Sequence, residues 1–181
     1  MDTYAVAGHD NQVAWPSYSN WIDYELELVA VIGRAGRDIS QDDANSHIFG
    51  YTILNDLSAR DEQLKCMATS LGPAKGKDFE QSNVMGPCIV TADEIADPYA
   101  LKVEVRVNDE VWSTSTGAEA HFRYNQCIAY ASQAQTIHAG EMFSTGTFPN
   151  CSSLELQRIV KKGDVIELEV EKVGVLRTQI V

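Results

Sequence analysis

The stretch from Tyr24 to Gly33 constrains the fold of this chain more than any other segment. Its residues alternate with a period of two, which is the periodicity of a β-strand rather than of an α-helix. One face carries Tyr24, Leu26, Leu28, Ala30 and Ile32, and the other carries Glu25, Glu27, Val29 and Val31. The sequence therefore predicts a strand that presents two carboxylates on a single face.

These two carboxylates, Glu25 and Glu27, have two interpretations. If the strand end emerges into solvent, both acids are simply hydrated, which is the ordinary situation of a Glu side chain. If the face is buried, like charges so close together must be protonated or neutralised, and a hard divalent cation with oxygen ligands neutralises them well. A third carboxylate is then expected, and Asp56 stands at the end of the next predicted strand, residues 51–57.

Helix signals are few and short. Ser40 and Asp43 resemble a capping box that opens a helix ended by Gly50, and Ser58 is a candidate cap for the helix that follows it. Two further helices are predicted, over 59–69 and 124–134. Helices of this length and number do not suffice for a doubly wound fold, in which a helix follows nearly every strand.

Strand and turn signals dominate the remainder of the chain. Asn108-Asp109 is a hairpin signal between two alternating segments, and residues 72–86 are rich in Gly and Pro and read as an ordered loop. The predicted strands here are 88–91, 101–107, 111–115, 165–170 and 175–181, whereas residues 1–21 read as irregular. The chain is therefore predicted to be α+β and mainly β.

Composition narrows the choice of partners. The 181 residues suit one domain, and no apolar run approaches the roughly 20 residues that a membrane span requires. A net charge of -12 repels phosphate backbones and anionic lipid, which argues against nucleic acid and membrane as partners. Four scattered cysteines and the absence of a secretory signal favour a reducing compartment, either the cytoplasm or a mitochondrial matrix.

Short motifs follow one another from Asp23 to the C-terminus. They include Asp23-Tyr24-Glu25-Leu26-Glu27-Leu28, Gly50-Tyr51-Thr52, Asn55-Asp56-Leu57-Ser58-Ala59-Arg60-Asp61, Gly76-Lys77-Asp78-Phe79, Met85-Gly86-Pro87, Gly140-Glu141, Thr145-Gly146-Thr147 and Lys162-Gly163-Asp164-Val165. In content and order these motifs resemble the fumarylacetoacetate hydrolase family, and so many in register argue against coincidence. The resemblance divides the chain into an irregular lead-in, residues 1–22, and a catalytic domain, residues 23–181.

The resemblance carries expectations for fold, metal and assembly. It implies the family's mixed β-roll or barrel with a few short helices, and a homodimer. Glu25, Glu27 and Asp56 match the family's metal ligands one by one, with Mg²⁺, or Mn²⁺ or Ca²⁺ in its place, as the cofactor. Three carboxylates, one divalent cation and one lysine leave the site near neutrality, so an anionic oxo acid is not repelled.

The resemblance also implies roles for five more residues. Arg60 and Gln63 match residues that line the substrate site, and Lys77 matches the catalytic lysine that contacts the bound oxo acid. Thr147 resembles a threonine near the substrate carboxylate, and Glu155 resembles a catalytic glutamate that supports a histidine. Two of these residues have an alternative interpretation. Lys77 can be read as a surface lysine, and Arg60 can be read as the partner of Asp61 or Glu62 on its own helix.

The function implied is that of a divalent-metal-dependent hydrolase that cleaves a carbon-carbon bond in a small β-dicarbonyl or acylpyruvate-type oxo acid. Decarboxylase, hydratase or tautomerase chemistry on the same scaffold is the first alternative, and a non-catalytic metal-binding remnant or subunit is the second. The second alternative is raised by the short lead-in, where the context of His9 does not match the family's catalytic histidine. The other histidines, His47, His121 and His138, have no evident catalytic role.

Overall fold

The computed structural model describes residues 3–70 and 72–181, and strands dominate it. In chain order the strands are β1 (Val6–Ala7), β2 (Asn11–Val13), β3 (Ile22–Asp23), β4 (Leu26–Ile32), β5 (Gly36–Arg37), β6 (Ile48–Asp56), β7 (Ser58–Ala59), β8 (Asn83–Thr91), β9 (Lys102–Val107), β10 (Glu110–Thr116), β11 (Thr136–Ile137), β12 (Met142–Ser144), β13 (Val165–Val170) and β14 (Gly174–Ile180). The α-helices are α1 (Gln41–Ala44), α2 (Arg60–Ala68) and α3 (Tyr124–Ala131), and 3₁₀ turns span Thr3–Ala5, Asn45–His47, Ala74–Gly76 and Ala92–Glu94. The predicted class, α+β and mainly β, is confirmed.

Two five-stranded sheets enclose one core. The first has the order β1-β8-β6-β4-β12 and the second the order β10-β9-β13-β14-β2, with β14 packed across β6 and β8. Leu28 and Ile53 of the first sheet share a buried apolar cluster with Val105, Leu168 and Leu176 of the second. Burying this apolar surface from both sheets is the main force that holds them face to face.

Strand β4 lies between β6 and β12 in the first sheet and is buried on both of its faces. It pairs antiparallel with β6 on one side and with β12 on the other. Val29 and Val31 form a small second cluster with Leu54, on the face opposite the main core. The face that carries Glu27 therefore does not open into solvent along the strand, which rules out the hydrated interpretation for this residue.

Several predicted boundaries shift. Gly50 lies inside β6 and does not end a helix; a Cβ there would stand 2.3 Å from the carbonyl oxygen of Val90, so close pairing with β8 requires glycine. Ser58 lies in β7 and does not cap α2, whose N-cap is Ala59. Strand β8 begins at Asn83, before the predicted 88–91, and α3 ends at Ala131, before the predicted 134.

Other predicted features are observed directly. The Ser40 side chain accepts a hydrogen bond from the Asp43 amide and caps α1. Asn108 and Asp109 take φ angles of 52° and 65° in the turn that joins β9 and β10, as the tight hairpin needs. Among the described residues, no helix is long and apolar enough to cross a membrane.

The lead-in is less irregular than predicted. β1 adds to the first sheet by parallel pairing with β8, and β2 adds to the second sheet by parallel pairing with β14. Val13, at the end of β2, is buried in the shared core. Both strands are too short to produce a recognisable alternating pattern, so only their pairing with distant strands defines them.

Candidate metal centre and substrate site

The three carboxylates that the sequence singled out converge in space. One oxygen from each of Glu25, Glu27 and Asp56 lies within 4.8 Å of the other two. The antiparallel pairing of β4 with β6 explains this, because the amide of Asp56 donates to the carbonyl of Glu25 at 3.1 Å, just beyond the ladder. Residues some thirty positions apart in the chain thus become direct neighbours.

Lys77 lies against this cluster. Its Nζ is 2.6 Å from Glu25 Oε2, 2.8 Å from Asp56 Oδ2 and 3.2 Å from the Asp56 carbonyl oxygen. The preceding glycine makes this position possible, since a Cβ at Gly76 would stand 2.5 Å from the Cα of Gln63 on α2. Lys77 therefore lies in the carboxylate cluster with only 15% of its side chain exposed, and the surface-lysine alternative is wrong.

Arg60, the first residue of α2, also points into the cluster. Its Nη2 lies 2.7 Å from Glu25 Oε1 and 2.6 Å from Asp23 Oδ2. The alternative that Arg60 pairs with Asp61 or Glu62 is wrong, because Asp61 accepts from the Ser19 hydroxyl and the Asn20 amide, and Glu62 accepts from Lys65. Burial lowers the pKa of Arg60, but the charges of Asp23 and Glu25 outweigh burial and leave this pKa above its usual value.

Asp23 is a site residue that sequence reasoning missed. It is fully buried, and besides Arg60 it accepts hydrogen bonds from the backbone amides of Ser153 and Leu154, at 2.7 and 3.3 Å. Its position two residues before Glu25, in the same motif, was a signal that a further acid stood close by. No local pattern, however, indicated that it would be paired with an arginine.

Burial makes the charge of this cluster unfavourable as it stands. Four carboxylates face two cations, so the fully ionised group carries a net charge of −2. Burial raises the pKa of Glu27 to about 7, although a hydrogen bond from Ser144 lowers it, and the neighbouring charges of Asp56 and Glu25 raise it further. Burial also raises the pKa of Asp56, against the opposing effect of Lys77.

A divalent cation fits this donor set on two grounds. Carboxylate oxygens are the ligands that hard cations such as Mg²⁺ and Mn²⁺ prefer, and three of them converge here. A charge of +2 would also cancel the net −2 of the ionised cluster and remove the cost of ionising Glu27. The described residues therefore suit a divalent ion better than they suit a site without one.

Of the remaining predicted residues, one joins the cluster and two lie beside it. Gln63 accepts a hydrogen bond from Arg60 Nη1 at 2.9 Å. Glu155 accepts from the Ser152 hydroxyl at 2.8 Å, and Ser152 forms a backbone bridge with Glu25. Thr147 is half-buried and, together with His121, lines a cavity of about 210 Å³.

None of the four histidines, all within the described ranges, hydrogen-bonds to the carboxylates. His9 accepts from the Arg177 amide at 3.2 Å. His47 is buried and contacts the Arg34 carbonyl at 2.8 Å. His121 stacks edge-on against Phe122, and His138 is exposed in a turn. The described part of the chain thus contains no histidine placed as a general base for this cluster.

Known proteins resemble this chain over nearly its whole length. It is 35% identical over 178 residues to fumarylacetoacetate hydrolase domain-containing protein 2 of Pongo abelii and to a mitochondrial oxaloacetate tautomerase of Homo sapiens, covering 98% of this chain and 56% of each relative. The chain thus spans about half the length of these relatives. An uncharacterised protein of Methanocaldococcus jannaschii is also 35% identical, with 70% of its length covered.

Solved structures resemble the fold equally well. A fumarylacetoacetate hydrolase from Exiguobacterium antarcticum superposes with a TM-score of 0.88 at 30% identity, over 98% of this chain and 63% of that one. A fumarylpyruvate hydrolase from Pseudomonas aeruginosa, solved in complex with Mn²⁺ and pyruvate, gives 0.87 at 26% identity, over 98% and 75%. The profile of the fumarylacetoacetate (FAA) hydrolase C-terminal domain matches residues 2–181. The chain is therefore a member of the fumarylacetoacetate hydrolase family.

Proposed function

We propose that Glu25, Glu27 and Asp56 bind one divalent cation, Mg²⁺ or Mn²⁺, and that the chain uses it to tautomerise a small 2-oxo acid of the oxaloacetate type. The observation that carries this proposal is the convergence of three carboxylate oxygens within 4.8 Å beside Lys77. The 35% identity to a protein named oxaloacetate tautomerase supports the choice of reaction.

The side chains around the carboxylates suit an anionic substrate despite the overall charge of -12. Lys77 and Arg60 are cations that would attract the carboxylate of an oxo acid, while Gln63 would donate an amide hydrogen bond to it. Thr147, on the neighbouring segment, would orient the same carboxylate. A bound divalent cation would supply Lewis-acid polarisation of the 2-oxo group.

The proton balance of tautomerisation favours this reaction for the groups present. From the enol to the keto form, one proton leaves the enol oxygen and one is added to the neighbouring carbon, so no bond to water forms and no fragment departs. Lys77 is the group that would exchange protons with the substrate, because its Nζ already stands among the carboxylates. Glu155 would assist from the Ser152 side of the site.

Hydrolytic cleavage of a carbon-carbon bond in an acylpyruvate is the second candidate. It is favoured by the likeness to the fumarylpyruvate hydrolase, whose structure holds Mn²⁺ and pyruvate. Hydrolysis additionally needs a base that activates water, and no histidine of the described residues contacts the cluster. Decarboxylation and hydration on the same site would be recognised by their products.

The test is an assay of the chain with Mn²⁺ or Mg²⁺ on enol oxaloacetate, followed by its ultraviolet absorbance, and on a panel of acylpyruvates with product analysis. We expect metal-dependent loss of the enol signal without loss of carbon, abolished by EDTA, by Glu25→Ala and by Asp56→Ala. Release of a cleaved acid or of CO₂ instead would favour the second candidate or a decarboxylase. Metal binding without any turnover would overturn the enzymatic proposal and indicate a metal-binding remnant.

A further inference from the structure

Asp23 and Arg60 form a buried ion pair, and the proposed reaction gives no role to Asp23. The Asp23 side chain has no exposed surface, and its Oδ2 accepts from both Arg60 Nε, at 2.8 Å, and Arg60 Nη2, at 2.6 Å. The other oxygen accepts from the Ser153 amide. A carboxylate held by so many donors is fixed in position.

Arg60 is shared between this acid and a proposed metal ligand. The same Nη2 that contacts Asp23 also lies 2.7 Å from Glu25 Oε1. A guanidinium paired with Glu25 competes with a cation for the charge of that carboxylate. The competition is weaker when a second carboxylate already neutralises the guanidinium, and Asp23 is the carboxylate that does so.

We propose that Asp23 is a positioning residue that tunes the affinity of the site for its divalent cation by holding and neutralising Arg60. This inference rests on the proposed metal role of Glu25, Glu27 and Asp56. With Asp23 present, the cluster carries four acids against two cations, which leaves a net charge of −2 for the ion to cancel.

The proposal predicts opposite effects on metal affinity when the charge of Asp23 or the charge of Arg60 is removed. Without the charge of Asp23 the cluster falls to −1, and Glu25 becomes the principal charged partner of Arg60, so an incoming cation has to displace that arginine. Without Arg60 the cluster rises to −3, and Glu25 is free to coordinate. Removal of both charges restores −2, and metal affinity should return with it.

The experiment measures Mn²⁺ affinity by calorimetric titration of the full chain, so that its result does not depend on turnover. We expect D23N to weaken binding about tenfold, as is usual when a group that orients a metal ligand is lost. R60Q should bind Mn²⁺ more tightly than the wild type, and D23N/R60Q should lie within about threefold of the wild type because the net charge is the same.

Glu167→Gln is the matched control. It removes one carboxylate from an ion pair with Arg106 on the second sheet, at 3.1 Å, and should leave Mn²⁺ affinity unchanged. A change as large as that of D23N would mean that overall charge, rather than the Asp23–Arg60 pair, sets the affinity, and it would overturn the inference.

The remaining outcomes each bear on either the inference or the proposed function. If D23N and D23N/R60Q are equally weak, Asp23 acts only by holding the backbone at Ser153, and the inference is wrong. If D23N does not fold, R60Q alone decides, since failure to tighten Mn²⁺ binding contradicts competition between Arg60 and the cation. If the wild type itself binds no Mn²⁺ or Mg²⁺, the proposed function fails, and that result is distinct from binding that Asp23 does not affect.

Discussion

The buried Glu27 side chain shows why this site favours a bound cation. Only 5% of it is exposed, and it accepts a hydrogen bond from the Ser144 hydroxyl. Because burial disfavours the charged form, the pKa of this carboxyl rises to about 7. Holding an ionised Glu27 at this position therefore costs stability, and a bound divalent cation would offset that cost.

The Glu27→Gln variant separates the stability cost of burying this charge from its role in binding the cation. In EDTA at pH 8 the variant should unfold at a temperature equal to or above that of the wild type, because a neutral amide keeps the Ser144 contact without the buried charge. Saturating Mg²⁺ at about one hundred times its Kd should stabilise the wild type by about 2.7 kcal/mol and the variant by much less. Differential scanning calorimetry with and without Mg²⁺ measures both effects, and an equal Mg²⁺ response would contradict a ligand role for Glu27.

The role of Lys77 can be tested by comparison with the nearby Lys75. Lys77→Met should reduce turnover of the oxo acid by at least about 100-fold, the usual scale for loss of a proton-transfer group, while Mn²⁺ binding persists. Lys75→Met is the control, because Lys75 lies in the same turn but donates to the carbonyl of Asp78. Equal turnover by both variants would remove Lys77 from the chemistry.

At the scale of elements, the register between β4 and β6 creates the site. Leu26 faces Asn55 and Glu27 faces Leu54, so the ends of both strands bring their acids together. A slip of one residue would turn Glu27 towards the main core and Leu28 towards the site. The alternation seen in the sequence was thus sufficient to assign the face of Glu27, but not to identify its neighbours.

The hairpin between β9 and β10 offers a test of local strain. Asp109 is exposed with φ at 65°, a conformation that costs an L-residue about 1 kcal/mol, so Asp109→Gly should stabilise the fold by about 0.5 kcal/mol once chain entropy is counted. Asn108→Gly should destabilise instead, because Asn108 bonds both Asp164 and the Val165 amide. Urea unfolding midpoints decide, and a lower midpoint for Asp109→Gly would refute the argument.

At the scale of the whole molecule, the lead-in ties the two sheets together. β1 extends the first sheet and β2 the second, so residues 6–13 connect them at their edges. The division of the chain at residues 22 and 23 stays a prediction about domains, but these pairings make the lead-in part of both sheets. Truncations of this segment should therefore affect the stability of the domain that carries the site.

Assembly is a further prediction at this scale. Phe49 and Ile89, on the neighbouring strands β6 and β8, expose 52% and 47% of their large apolar surfaces, which suits contact with another subunit. We expect light scattering after size-exclusion chromatography to give twice the chain mass of 20.0 kDa, in keeping with a homodimer. A mass of one chain across a dilution series would contradict this expectation.

The sequence by itself determined the strand that carries Glu25 and Glu27, the hairpin at Asn108 and the family to which the chain belongs. These features depend on residues close together in the chain, where the period of side chains and turn chemistry act directly. Lys77 was also identified in this way, through its motif.

Only the tertiary structure decided what surrounds those carboxylates. Ser144 reaches Glu27 across 117 positions of the chain, and Asp23 binds Arg60 across 37. The short strand β1 was likewise defined by a distant partner. Such contacts follow from how sheets and loops pack, and the local sequence carries no period or turn signal for them. For that reason the carboxylates of the site were foreseen, whereas the buried ion pair beside them was not.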